Sequence, residues 1–430
     1  MAANRKFYHC FQPFLVILFI WITVLISSSS AITCPPDQKI SPCKCISRFS
    51  LISCDNLPAD VNIASIFRSL SDSLLKSPSS NSQSLVTFDQ FKLVNSALTE
   101  LGSGRKGNGN ADLFSGVSFK KINILRNKKL KRIDENAFSA SANITTELIF
   151  EDNPVLGSET GDVQELFRLA NSFTNLQVLH ITECDIRQVP DGAFSRPQPA
   201  LREIMMTDNR ISSIGARPFT VLSGLELLNL DGNQISRLSV DAFNLPANRL
   251  HPKKQIRILL NSNALNDTSL PAGIFARLRR PTYLNLDINK LTTVPEAVFG
   301  SLALRGSVLS LKRNPLRCDC GMRWLSDQKL LYSSKAPEDA YFLLRHYVCQ
   351  SIDKDGEEVE IHEAEETDFK HCAKEKLQST SKVHCGAGDL DPEEEHNCLT
   401  SSVFGISPSF LKTVISHLFF MPLIWVLFLH

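Results

Sequence analysis

The chain has 430 residues, a formal net charge of +1 and twelve cysteines. A charge so close to zero excludes a protein that binds nucleic acid through a strong positive field. The cysteines are grouped towards the two ends of the chain, which favours an oxidising compartment outside the cell over the cytosol.

Residues 1–31 have the features of a secretory signal peptide. Basic residues stand at positions 5 and 6, an apolar run extends from Phe14 to Ile26, and Ser29–Ala31 offers small residues for cleavage. The alternative is a membrane-spanning anchor, but the apolar run is shorter than the ~20 residues that a span needs. We therefore predict that this segment is removed on export.

Residues 32–60 form a predicted cysteine cap with the spacing C-x8-C-x-C-x8-C. The four cysteines are Cys34, Cys43, Cys45 and Cys54. A small cap has little apolar core of its own, so disulfides must hold it together. The spacing by itself leaves three pairings of these cysteines open.

Residues 61–117 are less regular, and we predict an irregular or degenerate repeat there. The apolar positions that carry the repeat pattern are Val86, Phe88, Phe91 and Leu93. Phe91 is expected to occupy the position at which the later repeats carry asparagine. Residues 102–110 predict a flexible basic loop, because they lack the G-x-x-x-x-G-K-[ST] pattern of a phosphate-binding loop.

Residues 118–317 contain eight copies of the pattern L-x-x-L-x-L-x-x-N-x-L. The successive asparagine positions, with one cysteine as a stand-in, are Asn127, Asn153, Cys184, Asn209, Asn233, Asn263, Asn289 and Asn314. Their steps of 24 to 31 residues, together with the pattern, are the signature of leucine-rich repeats.

Each repeat predicts a short strand whose alternate side chains point inward, ended by an asparagine whose amide bonds backbone groups at a turn. One repeat cannot bury its apolar face alone, so the copies must stack. A phenylalanine behind most strands predicts a second apolar spine, and the six are Phe138, Phe194, Phe219, Phe243, Phe275 and Phe299. The expected fold is an α/β solenoid, a leucine-rich repeat horseshoe with a parallel concave sheet and disulfide-stabilised caps.

Residues 318–373 form the second predicted cap. Its cysteines are Cys318, Cys320, Cys349 and Cys372. A zinc site is the rival interpretation of a C-x-C pair with two further cysteines, but an exported chain favours disulfides. We expect Trp324 to pack over the last repeat.

Three single residues inside the repeats have separate interpretations. Cys184 replaces asparagine, and we interpret it as a buried small residue, with a reactive thiol as the alternative. N-x-[ST] sequons at Asn143 and Asn266 predict glycosylation and agree with an exported surface.

An acidic spacer, residues 374–406, and an apolar tail, residues 407–430, follow the second cap. Cys385 and Cys398 lie in the spacer and are expected to pair with each other. Small residues, a short spacer and a terminal apolar stretch predict a glycosylphosphatidylinositol (GPI) anchor signal. The alternatives are a C-terminal membrane span and a soluble form, and all three keep the repeats secreted or at the cell surface.

The x positions of the strands predict a ligand-binding face, because solenoids usually bind on their concave side. Apolar residues form a strip among acidic ones there, which suits an extracellular protein ligand. A merely solvated sheet face is the alternative. The candidate binding residues are Glu151, Asp152, Glu183, Glu203, Met205, Asp208, Asp231, Tyr283 and Asp287.

Seven of the thirteen residues from Lys120 to Arg132 are basic. Contact with a sulfated polysaccharide is one interpretation of this stretch, and a solvated edge is the other. The choice depends on how many of these charges the fold neutralises.

No catalytic residue, metal or cofactor is predicted. The sequence contains none of the G-x-S-x-G, H-E-x-x-H and Walker patterns, and its ten histidines lack ligand spacing. Repeats and caps occupy most of the mature chain, so we expect a binding protein rather than an enzyme.

The repeats and both caps resemble those of extracellular leucine-rich repeat proteins with cysteine-rich flanks, over residues 34–372. The resemblance implies the disulfides Cys34–Cys45, Cys43–Cys54, Cys318–Cys349 and Cys320–Cys372. The first cap, CPPDQKISPCKC, and the style of the repeats are also similar to arthropod proteins like the non-catalytic subunit of the Oplophorus luciferin 2-monooxygenase. This narrower likeness implies a protein that binds or stabilises a partner.

Two functions follow from the sequence. The first is cell-surface recognition or adhesion through the concave face, and the second is a non-catalytic accessory subunit that stabilises a secreted enzyme. A signalling receptor of the Toll kind is a third, weakened by the expected lack of a cytoplasmic domain. No oligomeric state is predicted.

Overall fold

The computed structural model describes part of the chain, and the described residues are 34–75, 86–102, 113–114, 116–248, 251, 253–303, 307–325, 348–352, 356–361, 364, 369 and 372. They all belong to one compact unit, Met1–Lys374. The signal peptide, most of the Gly-rich loop, Cys385, Cys398, the acidic spacer and the apolar tail lie outside the described residues, so those expectations stay predictions.

The described residues contain short strands and three α-helices. In chain order the strands are β1 (Lys44–Ile46), β2 (Leu51–Asp55), β3 (Val86–Val94), β4 (Glu100–Leu101), β5 (Val117–Leu125), β6 (Arg132–Ile133), β7 (Glu147–Asn153), β8 (Val178–Cys184), β9 (Gln188–Val189), β10 (Glu203–Met205), β11 (Ser213–Ile214), β12 (Leu227–Asn229), β13 (Arg237–Leu238), β14 (Ile256–Leu259), β15 (Thr282–Asn285), β16 (Val308–Ser310), β17 (Arg317–Cys318), β18 (Val348–Ser351) and β19 (Glu358–Glu360). The helices are α1 (Ile63–Leu75), α2 (Thr160–Ser172) and α3 (Glu296–Ala303). Short 3-10 helices cover Asp37–Lys39, Ser47–Phe49, Ser139–Ser141, Asp267–Ser269 and Cys320–Leu325.

One sheet of eleven strands organises the described repeats, in the order β1-β2-β3-β5-β7-β8-β10-β12-β14-β15-β16. The strands β1 and β2 pair antiparallel, and the later neighbours pair parallel. Smaller sheets, β4-β6 and β9-β11-β13, lie behind it, and β17-β18-β19 belongs to the second cap. The expected leucine-rich repeat solenoid is therefore confirmed.

The register of the sheet places the leucine positions of successive repeats side by side. Ile204 pairs with Leu228, which pairs with Ile258, and Ile258 pairs with Leu284. All four side chains are fully buried. Each strand thus presents one face to a continuous apolar core, and alternate residues point to the other face.

The repeat asparagines hold neighbouring repeats together. The Nδ2 of Asn233 donates to the Met206 carbonyl of the previous repeat at 2.8 Å, and its Oδ1 accepts the Ile211 N–H at 3.0 Å. The same pair of contacts, one donated to and one accepted from the preceding repeat, is made by Asn127, Asn153, Asn209, Asn263, Asn289 and Asn314. We call these seven residues the asparagine ladder.

Two positions depart from the ladder. Cys184 is buried, and its thiol donates to the Thr182 carbonyl at 3.3 Å within its own repeat. The expectation that Phe91 occupies an asparagine position is wrong, because β3 pairs Phe91 with Ile122, a core position of β5. The register puts Ser96 opposite Asn127, whose Oδ1 accepts the Ser96 N–H at 2.8 Å.

The phenylalanines behind the strands are buried and form a spine. Ring centroids lie 6.1 Å apart for Phe194 and Phe219, and 5.9 Å apart for Phe275 and Phe299. At the longest repeat, helix α2 adds Phe167, whose ring lies 5.6 Å from that of Phe194. The helix thus supplies the aromatic side chain that the repeat pattern omits.

Disulfides close both ends of the solenoid. The bonds are Cys34–Cys45, Cys43–Cys54, Cys318–Cys349 and Cys320–Cys372, the same pairs that the resemblance implies. Trp324 lies against the last repeats, where its Nε1 donates to the Val294 carbonyl at 2.6 Å. The end repeats are therefore covered instead of exposing apolar core.

Removal of one ladder amide is expected to destabilise the fold strongly. Asn233→Ala leaves the buried Ile211 N–H and Met206 carbonyl without their partner, so the free energy of unfolding should fall by roughly 2–4 kcal/mol. Equilibrium denaturation with urea measures this change.

The matched control is Gln234→Ala, because Gln234 is the next residue and its side chain is exposed. The control should change the free energy of unfolding by no more than about 0.5 kcal/mol. Equal effects of the two substitutions would contradict a structural role for the ladder.

Candidate ligand-binding face

The parallel register aligns the x positions of the strands into two columns on the sheet face opposite the core. The first column is Glu147, Val178, Glu203, Leu227, Arg257, Tyr283 and Val308. The second is Ile149, His180, Met205, Asn229, Leu259, Asn285 and Ser310. We call the surface made by these columns the concave face.

A row of carboxylates lies at the carboxyl ends of the strands, in the last residues of β7 and β8 and just beyond β10, β12 and β15. Its members are Glu151, Asp152, Glu183, Asp208, Asp231 and Asp287, and we call them the acidic row. Asp152, Glu183 and Asp208 each directly precede a ladder position and have a left-handed backbone, with φ between 51 and 54°. The turn that ends each strand therefore sets their place at the edge of the sheet.

Within the described residues, the carboxylates of the acidic row are not held in ion pairs. Among the described residues, the ion pairs that form elsewhere on the surface include none of these six carboxylates. Asp287 instead accepts the Lys312 N–H and the Ser310 hydroxyl, both at 2.7 Å. The six carboxylates therefore lack an ion-pair partner among the described residues, although the charge of Arg257 acts on Asp231.

An apolar strip lies beside the acidic row in the two columns. Val178, Met205, Leu227 and Tyr283 are half-buried, and Leu259 is 9% exposed. These side chains lie on five neighbouring strands of the sheet, β8, β10, β12, β14 and β15. The concave face thus presents apolar side chains among charged ones such as Glu203 and Arg257, with the acidic row at its edge.

Two polar contacts fix side chains around this strip. The Arg257 guanidinium lies 5.8 Å from the centroid of the Tyr283 ring, a cation–π distance. A contact of 2.8 Å joins His180 Nε2 to Glu203 Oε1. Neither contact is predicted from the sequence, because the repeat pattern sets which residues are neighbours but not the side-chain conformations that bring two groups together.

Asp231 is the carboxylate of the row whose pKa is raised. Burial raises the pKa of its carboxyl, and the carboxylates of Asp208 and Asp287 raise the pKa further. The hydrogen bond from the Asn261 N–H and the charge of Arg257 oppose this rise. The bond to Asn261 measures 2.6 Å. On balance the folded protein therefore disfavours the charged form of Asp231.

The structure divides the nine candidate binding residues between two neighbouring places. Glu203, Met205 and Tyr283 lie in the columns, and the other six form the acidic row. Asn123, which the sequence did not single out, lies in register between Lys92 and Ile149 and is 6% exposed.

Other candidate sites are simpler. Asn143 and Asn266 are exposed, as an acceptor of a glycan requires. Burial raises the pKa of the Cys184 thiol to about 12, so the nucleophilic thiolate is scarce near neutral pH. In the described part of the chain, no group of three His, Cys, Asp or Glu side chains is arranged to hold a metal ion.

Asp231→Asn is expected to stabilise the protein at neutral pH. The folded-state pKa of Asp231 lies above its unfolded value, so the ionised carboxyl destabilises the fold, whereas an amide keeps an oxygen for Asn261. The gain should shrink as the pH falls through the raised pKa and vanish below about pH 4. Urea denaturation at pH 7, 5 and 3.5 measures it.

Asp191→Asn is the control, because Asp191 is exposed and accepts the Ala216 N–H of the next repeat at 2.6 Å. This substitution should give no gain at pH 7. A gain at Asp231 that persists unchanged at pH 3.5 would contradict the electrostatic cause.

A family model described as leucine rich repeat matches residues 174–235 and 199–246. The chain is similar to the Oplophorus-luciferin 2-monooxygenase non-catalytic subunit of Oplophorus gracilirostris, with 27% identity over 316 residues, 70% of this chain and 80% of that protein. It is also similar to human podocan-like protein 1, with 34% identity over 137 residues. That match spans 28% of this chain and 26% of podocan-like protein 1.

A chain in the solved Toll–Spatzle complex, a molecular hub in Drosophila development and innate immunity, is 20% identical with a TM-score of 0.40. The match covers 59% of this chain and 32% of that one. Within the described residues, no helix has the length and apolar character needed to span a bilayer. Disulfide caps are typical of secreted and cell-surface proteins. The repeats, the eleven-stranded sheet and the matching family model identify the chain as a leucine-rich repeat protein with disulfide-bonded caps.

Proposed function

We propose that the protein is an extracellular recognition or adhesion protein that holds a protein ligand on its concave face. One observation carries the proposal: an apolar strip lies in the columns beside six carboxylates that form no ion pair among the described residues. Protein interfaces combine an apolar centre with a polar, charged rim in this way. The protein acts by binding and not by catalysis.

The chemistry of the face defines its partner. The strip from Val178 to Tyr283 takes an apolar or aromatic surface, and such contacts supply most of the affinity in protein interfaces. The acidic row takes basic side chains at the rim of the same partner, where charge complementarity guides association and selects the correct partner. The ligand is therefore a protein with an apolar patch bordered by lysine or arginine.

We further propose that the apolar tail, residues 407–430, is replaced by a GPI anchor at the cell surface. The small residues before a terminal apolar stretch support this proposal. Phosphatidylinositol-specific phospholipase C should then release the protein from intact cells into the medium. Retention on the cells would favour a membrane span, and secretion without enzyme would favour a soluble form.

The accessory-subunit function is the second candidate. It is supported by the likeness to the Oplophorus non-catalytic subunit, because the match extends over 80% of that subunit. Under this proposal the concave face holds a secreted enzyme. Copurification of an enzymatic activity with the exported protein favours the accessory subunit, and a partner on another cell surface favours adhesion.

Reversal of charge beside the strip is expected to weaken ligand binding. The test variant is Glu203→Lys with Asp208→Lys, and the control is Asp60→Lys with Glu296→Lys, which makes the same change of charge at exposed positions off the concave face. The partner is captured from extracellular medium with the wild-type protein and identified, and its Kd is then measured for each variant.

The test variant should raise the Kd roughly 10- to 30-fold, the range of an interface hot spot. The control should leave the Kd within about twofold, because distant rim charges contribute little. Equal Kd values for wild type and test variant would move the binding site away from the concave face.

A further inference from the structure

The fold sorts the seven basic residues between positions 120 and 132 into two groups. Lys120 forms an ion pair with Asp89 at 2.7 Å, and Lys121 forms one with Glu147 at 2.7 Å. Both lysines lie in strand β5. Their charges are therefore neutralised on the sheet.

Arg132 is also removed from the exposed charge. Its side chain is 6% exposed and lies between Glu100, at 2.6 Å, and Glu165, at 2.9 Å. The guanidinium thereby joins β6 to β4 and to helix α2. Its role is structural.

The four remaining cations are exposed, and among the described residues none forms an ion pair. They are Arg126, Lys128, Lys129 and Lys131, which we call the basic turn. They follow Leu125, the last residue of β5, whereas Lys120 and Lys121 lie in the middle of that strand.

The backbone of the basic turn is held in place. Asn127 is fully buried, and its Nδ2 donates to the Leu93 and Leu125 carbonyls. Leu130 is fully buried, and its N–H donates to the Asn127 carbonyl. Lys128 and Lys129 therefore project from a turn that is anchored at both ends.

The two flanking cations are fixed in the same way. The Arg126 N–H donates to the Glu151 carbonyl at 2.9 Å, and the Lys131 N–H donates to the Thr99 carbonyl at 2.8 Å. The four charges thus belong to a preorganised segment, and binding requires ordering only of the side chains.

The repeats on either side place uncharged residues beside the basic turn. Thr99 and Gly157 flank Lys131 through backbone hydrogen bonds. The residues that follow the neighbouring ladder positions are Ala97, Pro154 and Val155, which are all uncharged. The acidic row begins beside Arg126, at Glu151 and Asp152, so opposite charges are separated along one edge of the solenoid.

We propose that the basic turn binds a sulfated polysaccharide. Lysine is depleted from protein interfaces, whose centres are apolar or aromatic. The exposed large apolar side chains among the described residues are Ile46, Phe49, Val240, Ile288, Val348 and Ile352, and none lies in the repeats around the basic turn. A lysine-rich surface without an apolar centre suits a flexible polyanion, because the lysines bind its repeated negative charges.

The spacing of the basic turn fits a chain with several anionic groups. Arg126 and Lys131 are five residues apart, so their Cα atoms lie within about 18 Å even if the segment is extended. Several sulfated sugar units can cross such a distance. This site is separate from the concave face and does not depend on the protein ligand proposed for it.

The test compares two double variants of the full chain that remove the same charge from the same stretch of sequence. The test variant is Lys128→Gln with Lys129→Gln, and the matched control is Lys120→Gln with Lys121→Gln. Binding to immobilised heparin is measured as a Kd and as the NaCl concentration that elutes the protein. Unsulfated hyaluronan and vesicles of phosphatidylserine in phosphatidylcholine are the comparison probes.

The test variant should bind heparin roughly 10- to 30-fold more weakly and elute at lower salt, because each cation near an anionic surface contributes ~1 kcal/mol. The control should retain binding within about threefold, since its lysines are already paired. Hyaluronan and the vesicles should bind weakly to every variant.

Three results would overturn the proposal, provided that all variants show the same cooperative urea unfolding. They are unchanged heparin binding by the test variant, an equal loss in the control, and stronger binding to the vesicles than to heparin. The last result would assign the basic turn to a membrane surface. The Kd for the protein ligand of the concave face is measured alongside and should not change.

Discussion

The hydrogen bonds of a buried asparagine amide to the preceding repeat are the interaction on which this solenoid depends. A strand that ends at a turn leaves backbone groups without partners, and burial of such groups is destabilising unless they are hydrogen-bonded. The amide has a donor and an acceptor, so one side chain satisfies a carbonyl and an N–H of its neighbour. Asn233 does both, with Met206 and Ile211.

The same contacts determine what the outer surface can do. Because the ladder fixes the register, x positions of separate repeats fall into columns, and residues scattered in sequence become one surface. The residue before each ladder position takes a left-handed backbone conformation at the edge of the sheet. That position is acidic at Asp152, Glu183 and Asp208, and it is basic at Arg126 and Arg313. One structural requirement thus produces an edge whose charge varies from repeat to repeat.

The regular repeats allowed much of the architecture to be predicted. The ladder positions, the strands and the columns follow from a pattern in which each residue type has one physical task. The register of the irregular repeats is harder to predict, because the length of a segment does not show which of its residues pair with the neighbouring strand. The sequence pattern predicts Phe91 at a ladder position, but Phe91 is a core residue and Ser96 occupies that place. A serine in an irregular repeat cannot be recognised from the sequence as the residue at a ladder position.

The chemistry of the surface was less predictable than the fold. Composition identified acidic and basic stretches but not which charges are paired, since pairs such as Lys121 with Glu147 join different repeats. The burial of Arg132 between two glutamates depends on helix α2, which interrupts the repeat pattern. The fold therefore decides which charges are paired and which are available to a ligand.

Amide hydrogen exchange at single-residue resolution tests the ladder most directly. The backbone N–H groups of Ile211, Ile235 and Leu265 lie beyond the sheet strands and donate to ladder oxygens. If the ladder holds the repeats together, these three amides exchange as slowly as those of the neighbouring strands. Exchange at the rate of exposed loop amides would contradict the account.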